Sequence, residues 1–200
     1  MRTADPVLQQ RRRDEILASA ERCFVEKGFH QASVAEIAAG AGLSMGLMYR
    51  YFKNKDEIVL CFVAREKEAD LKLIGQVATA QDLRAMLDAQ LDALLQQSFA
   101  PKSARIIVEV MAEAGRNPTI LTALQKTDVA LRAALADAIA QQQRAGRISS
   151  QLEPILVAST LMTVFDGVFG RALLQPELPL AAYKSELLAM LSSFLGIAPA

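Results

Sequence analysis

Residues 33–52 read SVAEIAAGAGLSMGLMYRYF, and the local chemistry of this stretch decides the fold. Ser33 suits a helix N-cap, and Glu36, three residues later, completes a capping box in which each side chain accepts from the other's backbone N–H. Val34, Ile37, Ala38 and Ala41 fall at the spacing of one buried helical face. Gly42 can adopt the left-handed conformation of a tight turn. Ser44 caps a second short helix that turns Met48 and Phe52 inward. Two short helices joined by a glycine-containing turn predict a helix-turn-helix. Ala38 is small where the helices cross, and Leu43 fills the space between them. Met45, Gly46, Leu47, Tyr49 and Arg50 are left outward, where the second helix of such a motif meets the DNA major groove.

Outward from this core the rest of the chain also reads as helix. Upstream, Ile16, Ala20, Cys23 and Phe24 share one face of a helix over about Gln9 to Lys27, which Gly28 ends. Downstream, a long helix follows Asn54, with Asp56 and Glu57 in its first turn and Ile58, Val59, Phe62, Val63 and Leu73 on its stripe. Further helices are expected from about Asp82 to Ser98, from Pro101 onward with Ile106, Ile107, Val110 and Met111 apolar, and from Asn117-Pro118 to Arg144, with Gly146 closing the last. Pro154 opens an almost wholly apolar segment that Pro176 and Pro179 end, and an amphipathic helix with Tyr183, Leu187, Leu188, Leu191 and Phe194 comes last. The expectation is an all-α protein of about nine helices. A three-helix headpiece lies within residues 1–54, and a helical bundle occupies residues 55–200.

Composition narrows the function classes. Lys plus Arg and Asp plus Glu each number 22, so the net charge is zero, yet residues 1–55 hold nine basic against six acidic side chains. A mildly basic end on a neutral chain suits a nucleic-acid-binding headpiece. Arg11, Arg12 and Arg13 read equally as a solvated first turn or as phosphate and minor-groove contacts. Cys23 and Cys61 read as reduced core thiols. His30 is the lone histidine and reads as a loop residue without special chemistry. A zinc site and a Ser-His-Asp or Cys-His catalytic set are therefore not expected, and no glycine-rich phosphate loop is present. The chain is expected to be no enzyme and to need no cofactor or metal. Ile155 to Leu174 is long enough to span a bilayer, but Asp166 and Arg171 within it favour burial in protein, so no membrane is expected.

From about Arg13 to Ile58 the chain resembles the tetracycline-repressor-type (TetR) transcriptional regulators. The resemblance rests on ILASAERCFVEKGF, SVAEIAAGAGLSMGLMYRYF and KNKDEI, in order and at the family's spacing. It implies that Ser33 contacts phosphate through its hydroxyl and backbone N–H, and that Ser44, Met45, Gly46 and Leu47 face the bases. It implies further that Tyr49 and Tyr51 form an aromatic pair on phosphates and sugars, and that Lys55 clamps a phosphate. Leu47 departs from the small residue common at its position. Like Met45 it cannot donate to a base edge, which favours thymine-methyl contacts.

For the C-terminal part the expectation is an effector site lined by Phe62, Met86, Phe99, Met111, Met162, Phe165 and Phe169, all large, apolar and adaptable. The few charges on these helices favour an apolar or mildly polar small molecule. The apolar character of Pro154–Leu174 and the Leu/Phe stripe of the last helix predict a homodimer through those two helices. These readings describe a cytoplasmic, ligand-responsive regulator, most often a repressor in the family it resembles, on a palindromic operator. The competing reading is a constitutive DNA-binding protein without a ligand.

Overall fold

The computed structural model describes residues 6–100 and 103–197. The described residues form nine helices and no strand: α1 (Pro6–Gln31), α2 (Val34–Gly40), α3 (Met45–Tyr51), α4 (Lys55–Thr79), α5 (Leu83–Ser98), α6 (Ser103–Ala114), α7 (Pro118–Arg144), α8 (Pro154–Leu174) and α9 (Leu180–Leu195). The helix start expected at Pro101 falls outside the described residues.

Local signals set most helix ends. The Ser33 Oγ accepts from the Glu36 N–H and the Glu36 carboxylate from the Ser33 N–H, which completes the capping box. Asn54 Oδ1 accepts from the Glu57 N–H at 2.9 Å at the start of α4, and Asp82 Oδ1 from the Ala85 N–H at 2.8 Å at the start of α5. Asn117 does the same for Thr119 before α7. One boundary differs from expectation. Gly28 takes φ 77° and ψ 161°, so the first long helix does break there, but a further helical turn follows and runs to Gln31.

The chain divides into two compact units. The first joins residues up to Arg65 with Arg105–Leu124. Its core gathers Ile16, Ala20 and Phe24 of α1, Ile37 of α2, Met48 of α3, Phe52, and Ile58, Val59 and Phe62 of α4, closed by Ala114 and Ile120. The rings of Phe24 and Phe29 lie 5.2 Å apart and tilted, and those of Phe24 and Phe62 lie 6.4 Å apart edge-on. Burying large aromatic and branched side chains stabilises such a unit by about 1.5–3 kcal/mol each. Compactness thus draws its line differently from the cut after Asn54, because the first turns of α4 and Ile106, Val110 and Ala114 of α6 pack with the headpiece core.

The second unit holds Glu66–Ala104 and Gln125–Ala200. Leu83, Leu91 and Leu95 of α5 pack with Leu135 and Ile139 of α7, Val157, Leu161 and Val168 of α8, and Leu187, Leu191 and Leu195 of α9. Lys184 of α9 pairs with Asp88 at 2.9 Å and Asp92 at 2.6 Å on successive turns of α5. Among the described residues, α8 is the one helix long and apolar enough to cross a membrane.

Candidate nucleic-acid interface

α3 is held by its buried side and leaves the other free. Met48 is completely buried and Phe52 almost so, which fixes the rotation of this seven-residue helix. Ser44 Oγ accepts from the Leu47 N–H at 3.3 Å and closes its N-terminus. On the opposite face Met45 is 37% and Tyr49 52% exposed, with Ser44, Gly46 and Arg50 exposed beside them. Two expected contacts sit deeper. Leu47 and Tyr51 are half-buried and pack against the headpiece core, so each offers only part of its side chain.

Ser33 is exposed at the start of α2, but its backbone N–H is already donated to Glu36 Oε2 at 3.0 Å. Its Oγ accepts from the Glu36 N–H at 3.1 Å, which leaves the hydroxyl proton free to donate outward. Lys27 Nζ donates to Glu36 Oε1 at 2.6 Å. That bond first, with those from Ser33, draws the Glu36 carboxyl down to about 2.

Much of the headpiece's positive charge is engaged internally. Arg11 and Arg12 both bond Glu15. The Arg13 guanidinium lies 4.6 Å over the Phe52 ring, 3.0 Å from Cys61 Sγ and 3.5 Å from the Tyr51 carbonyl oxygen. It ties α1 to α3 and α4. Lys55 is half-buried, and its Nζ donates to the carbonyls of Phe29 at 2.6 Å and His30 at 3.3 Å.

The residues expected around an effector fall in both compact units, Phe62 and Met111 in the first and the other five in the second. Phe62 lies 6% exposed inside the headpiece core, against Phe24, and is committed to holding that unit together. Met111 is 62% exposed on α6. In the second unit, Phe99, Met162 and Phe165 pack against the leucine core, while Met86 and Phe169 are half-buried. Of the apolar set expected on this helix, α6 turns Ile106 and Val110 to the core and Met111 to solvent.

The structure adds contacts that the sequence did not suggest. Glu109 Oε2 of α6 accepts the Phe29 N–H at 2.8 Å. One turn on, Glu113 is 6% exposed, with Oε2 3.3 Å from His30 Nε2 and no hydrogen-bond partner. Asn117 Nδ2 donates to Asp56 Oδ2 at 2.8 Å. These pairs lie 61 to 83 positions apart, and no local signal could have found them.

Comparison with known proteins agrees with this arrangement. The family described as "Bacterial regulatory proteins, tetR family" matches residues 16–60, and "BetI-type transcriptional repressor, C-terminal" matches residues 79–196. The HTH-type transcriptional regulator UidR of Escherichia coli strain K12 is 24% identical over 158 residues, which covers 79% of this chain and 80% of that protein. Salmonella enterica GusR superposes with a TM-score of 0.80 at 23% identity, covering 98% of this chain and 100% of that one. A SmeT–triclosan complex superposes with a TM-score of 0.77, also at 23% identity, covering 92% and 91%.

Proposed function

The chain belongs to the tetR family of bacterial regulatory proteins and is a DNA-binding transcriptional regulator, not an enzyme; from that premise we propose that it is a homodimeric repressor, released from a palindromic operator by a small, mostly apolar effector. Residues 1–54 are the DNA-binding module and residues 55–200 the sensing and dimerising part. Such a regulator works in the cytoplasm, beside the chromosome it reads.

The observation that carries this reading is the outward face of α3. Met45, Gly46, Tyr49 and Arg50 stand exposed on a helix whose other side is anchored by Met48. Such a helix enters the major groove with its N-terminal residues on base edges. Arg50 supplies a charged donor, while Met45 and the exposed part of Leu47 suit thymine methyls. Ser33, through its remaining hydroxyl proton, and Tyr51 at its edge reach the backbone, which positions without specifying. Lys55 Nζ donates to the Phe29 and His30 carbonyls.

Effector response follows from the family and from the composition of the second unit. Met86, Met162, Phe165 and Phe169 bring adaptable apolar surface there without being fully buried, and such surfaces yield to a ligand more readily than branched core does. A structure of similar fold is the SmeT–triclosan complex.

Selection of binding sites from random DNA tests the reading. It should return a palindrome whose half-sites are centred about 34–36 Å apart or a multiple of that. Tyr49→Ala and Arg50→Ala should lose preference at particular bases. A selection that enriches no sequence would remove the proposed function.

A further inference from the structure

We propose that Lys55 and Glu109 form a two-sided clamp on the corner between α1 and α2, and that both are positioning residues for DNA contact. The proposal rests on the reading that the α2–α3 face meets DNA.

The corner exists because Gly28, at φ 77° and ψ 161°, breaks α1 three residues before its end. The break leaves backbone groups of the next two residues without helical partners, and an unmade bond at a partly buried site is costly. Two side chains of opposite charge take them up. The carboxylate of Glu109 accepts the Phe29 N–H at 2.8 Å. The ammonium of Lys55 donates to the Phe29 carbonyl at 2.6 Å and the His30 carbonyl at 3.3 Å, and lies 4.5 Å over the Phe29 ring. Hydrogen bonds with one charged partner are roughly twice as strong as neutral ones.

The fit on the carboxylate side depends on the glycine. A Cβ at position 28 would lie 3.4 Å from both Glu109 carboxylate oxygens, so the carboxylate rests directly on the bare backbone. Ser33, which caps α2 and carries an outward hydroxyl, follows His30 by only three positions. Whatever holds Phe29 and His30 therefore sets where α2 begins, and through the glycine turn how α3 is presented. The clamp brings together the N-terminus of α4 and the middle of α6 at this one corner. His30 adds a second touch on α6, its Nε2 lying 3.3 Å from Glu113 Oε2.

A phosphate contact by Lys55 and this clamp predict different measurements. Operator affinity would be measured against salt for Glu109→Ala, Glu109→Gln and Lys55→Ala, using a duplex obtained by site selection. Amide hydrogen exchange over residues 29–33 would be measured on the same variants without DNA. Under the clamp, Glu109→Ala lowers affinity about tenfold. It speeds exchange at the Phe29 amide and leaves the salt slope and base preference unchanged. Glu109→Gln, whose amide oxygen still accepts the Phe29 N–H, restores most of both properties. Should Glu109→Ala not fold, Glu109→Asp, one methylene short, takes its place. Lys55→Ala lowers affinity with an unchanged salt slope and faster exchange over the corner. A salt slope reduced by about one per subunit in Lys55→Ala, with exchange unaltered, would return Lys55 to phosphate and overturn the clamp. Glu109→Ala and Glu109→Gln both behaving as wild type would overturn it equally. The exchange measurement needs no DNA, so it judges the clamp even if the wild-type protein binds no selected duplex.

Discussion

Glu36 holds Lys27 with one carboxylate oxygen and the Ser33 N–H with the other, and these donors draw its carboxyl from the ordinary 4.5 to about 2. A group whose pKa is depressed on folding contributes stability above its unfolded value and loses it as pH falls through the folded one. The Glu36 contribution should therefore be intact at neutral pH and vanish from 4.5 down to about 2. Thermal unfolding of wild type and Glu36→Gln across this range should show a gap that is constant near neutrality and closes in acid. A gap that persists at pH about 2 would mean that the carboxylate charge is not what stabilises the cap. Gly40 makes a second residue-scale case. A Cβ there would collide with Ser19 Oγ, which is buried and donates to the Ile37 carbonyl at 2.9 Å. Gly40→Ala should cost about 1–3 kcal/mol by overpacking. Ser19→Ala should recover part of that loss in the double variant, as denaturant unfolding would read. Costs that simply add within ~0.5 kcal/mol would show that this hydroxyl is not the obstacle.

A buried side chain of α7 bonds the backbone at the far end of α4. Gln142 of α7 is fully buried, and its Nε2 lies 2.6, 3.1 and 3.1 Å from the carbonyl oxygens of Val77, Ala78 and Ala80. Its Oε1 accepts from Arg147 Nε at 2.6 Å. The last carbonyls of any helix lack internal partners, and here a neighbouring helix supplies them. Replacing Gln142 by Leu keeps the volume but strands those carbonyls and the Arg147 donor. The expected loss is about 1–3 kcal/mol in denaturant unfolding, with faster amide exchange confined to the end of α4. A variant as stable as wild type would show that water substitutes for the amide. α4 thus has side-chain attachments near both ends, Lys55 on the Phe29 and His30 carbonyls and Gln142 beside its last turn.

Apolar exposure on α8 and α9 belongs to the scale of the assembled molecule. Leu156 is 65% and Leu174 75% exposed on α8, and Met190 and Phe194 are exposed on α9. In the proposed homodimer these side chains form the interface, which for an obligate pair buries about 2,000 Å² or more. Leu156→Glu touches little within the chain, so it should keep its helicity while shifting light scattering from dimer to monomer. It should also weaken operator binding, because two half-sites then bind separately. A Leu156→Glu protein that stays dimeric would place the interface elsewhere.

The sequence by itself determined several features that depend on residues three or four positions apart. The Ser33–Glu36 box, the Ser44 and Asn117 caps, the positive φ at Gly28 and Gly42 and the inward Met48 and Phe52 were all legible in local sequence. Spacing alone fixes which groups can meet in a helix. What tertiary structure decided are the contacts between helices distant in sequence. Lys55 reaches Phe29 across 26 positions, Glu109 across 80, and Gln142 reaches Val77 across 65. The same packing turned Met111 to solvent, committed Phe62 to the headpiece and drew Arg105–Leu124 into the DNA-binding unit. A helical stripe tells which residues share a face, but which face meets a partner, and which backbone group a long charged side chain then finds, depends on how several helices settle together.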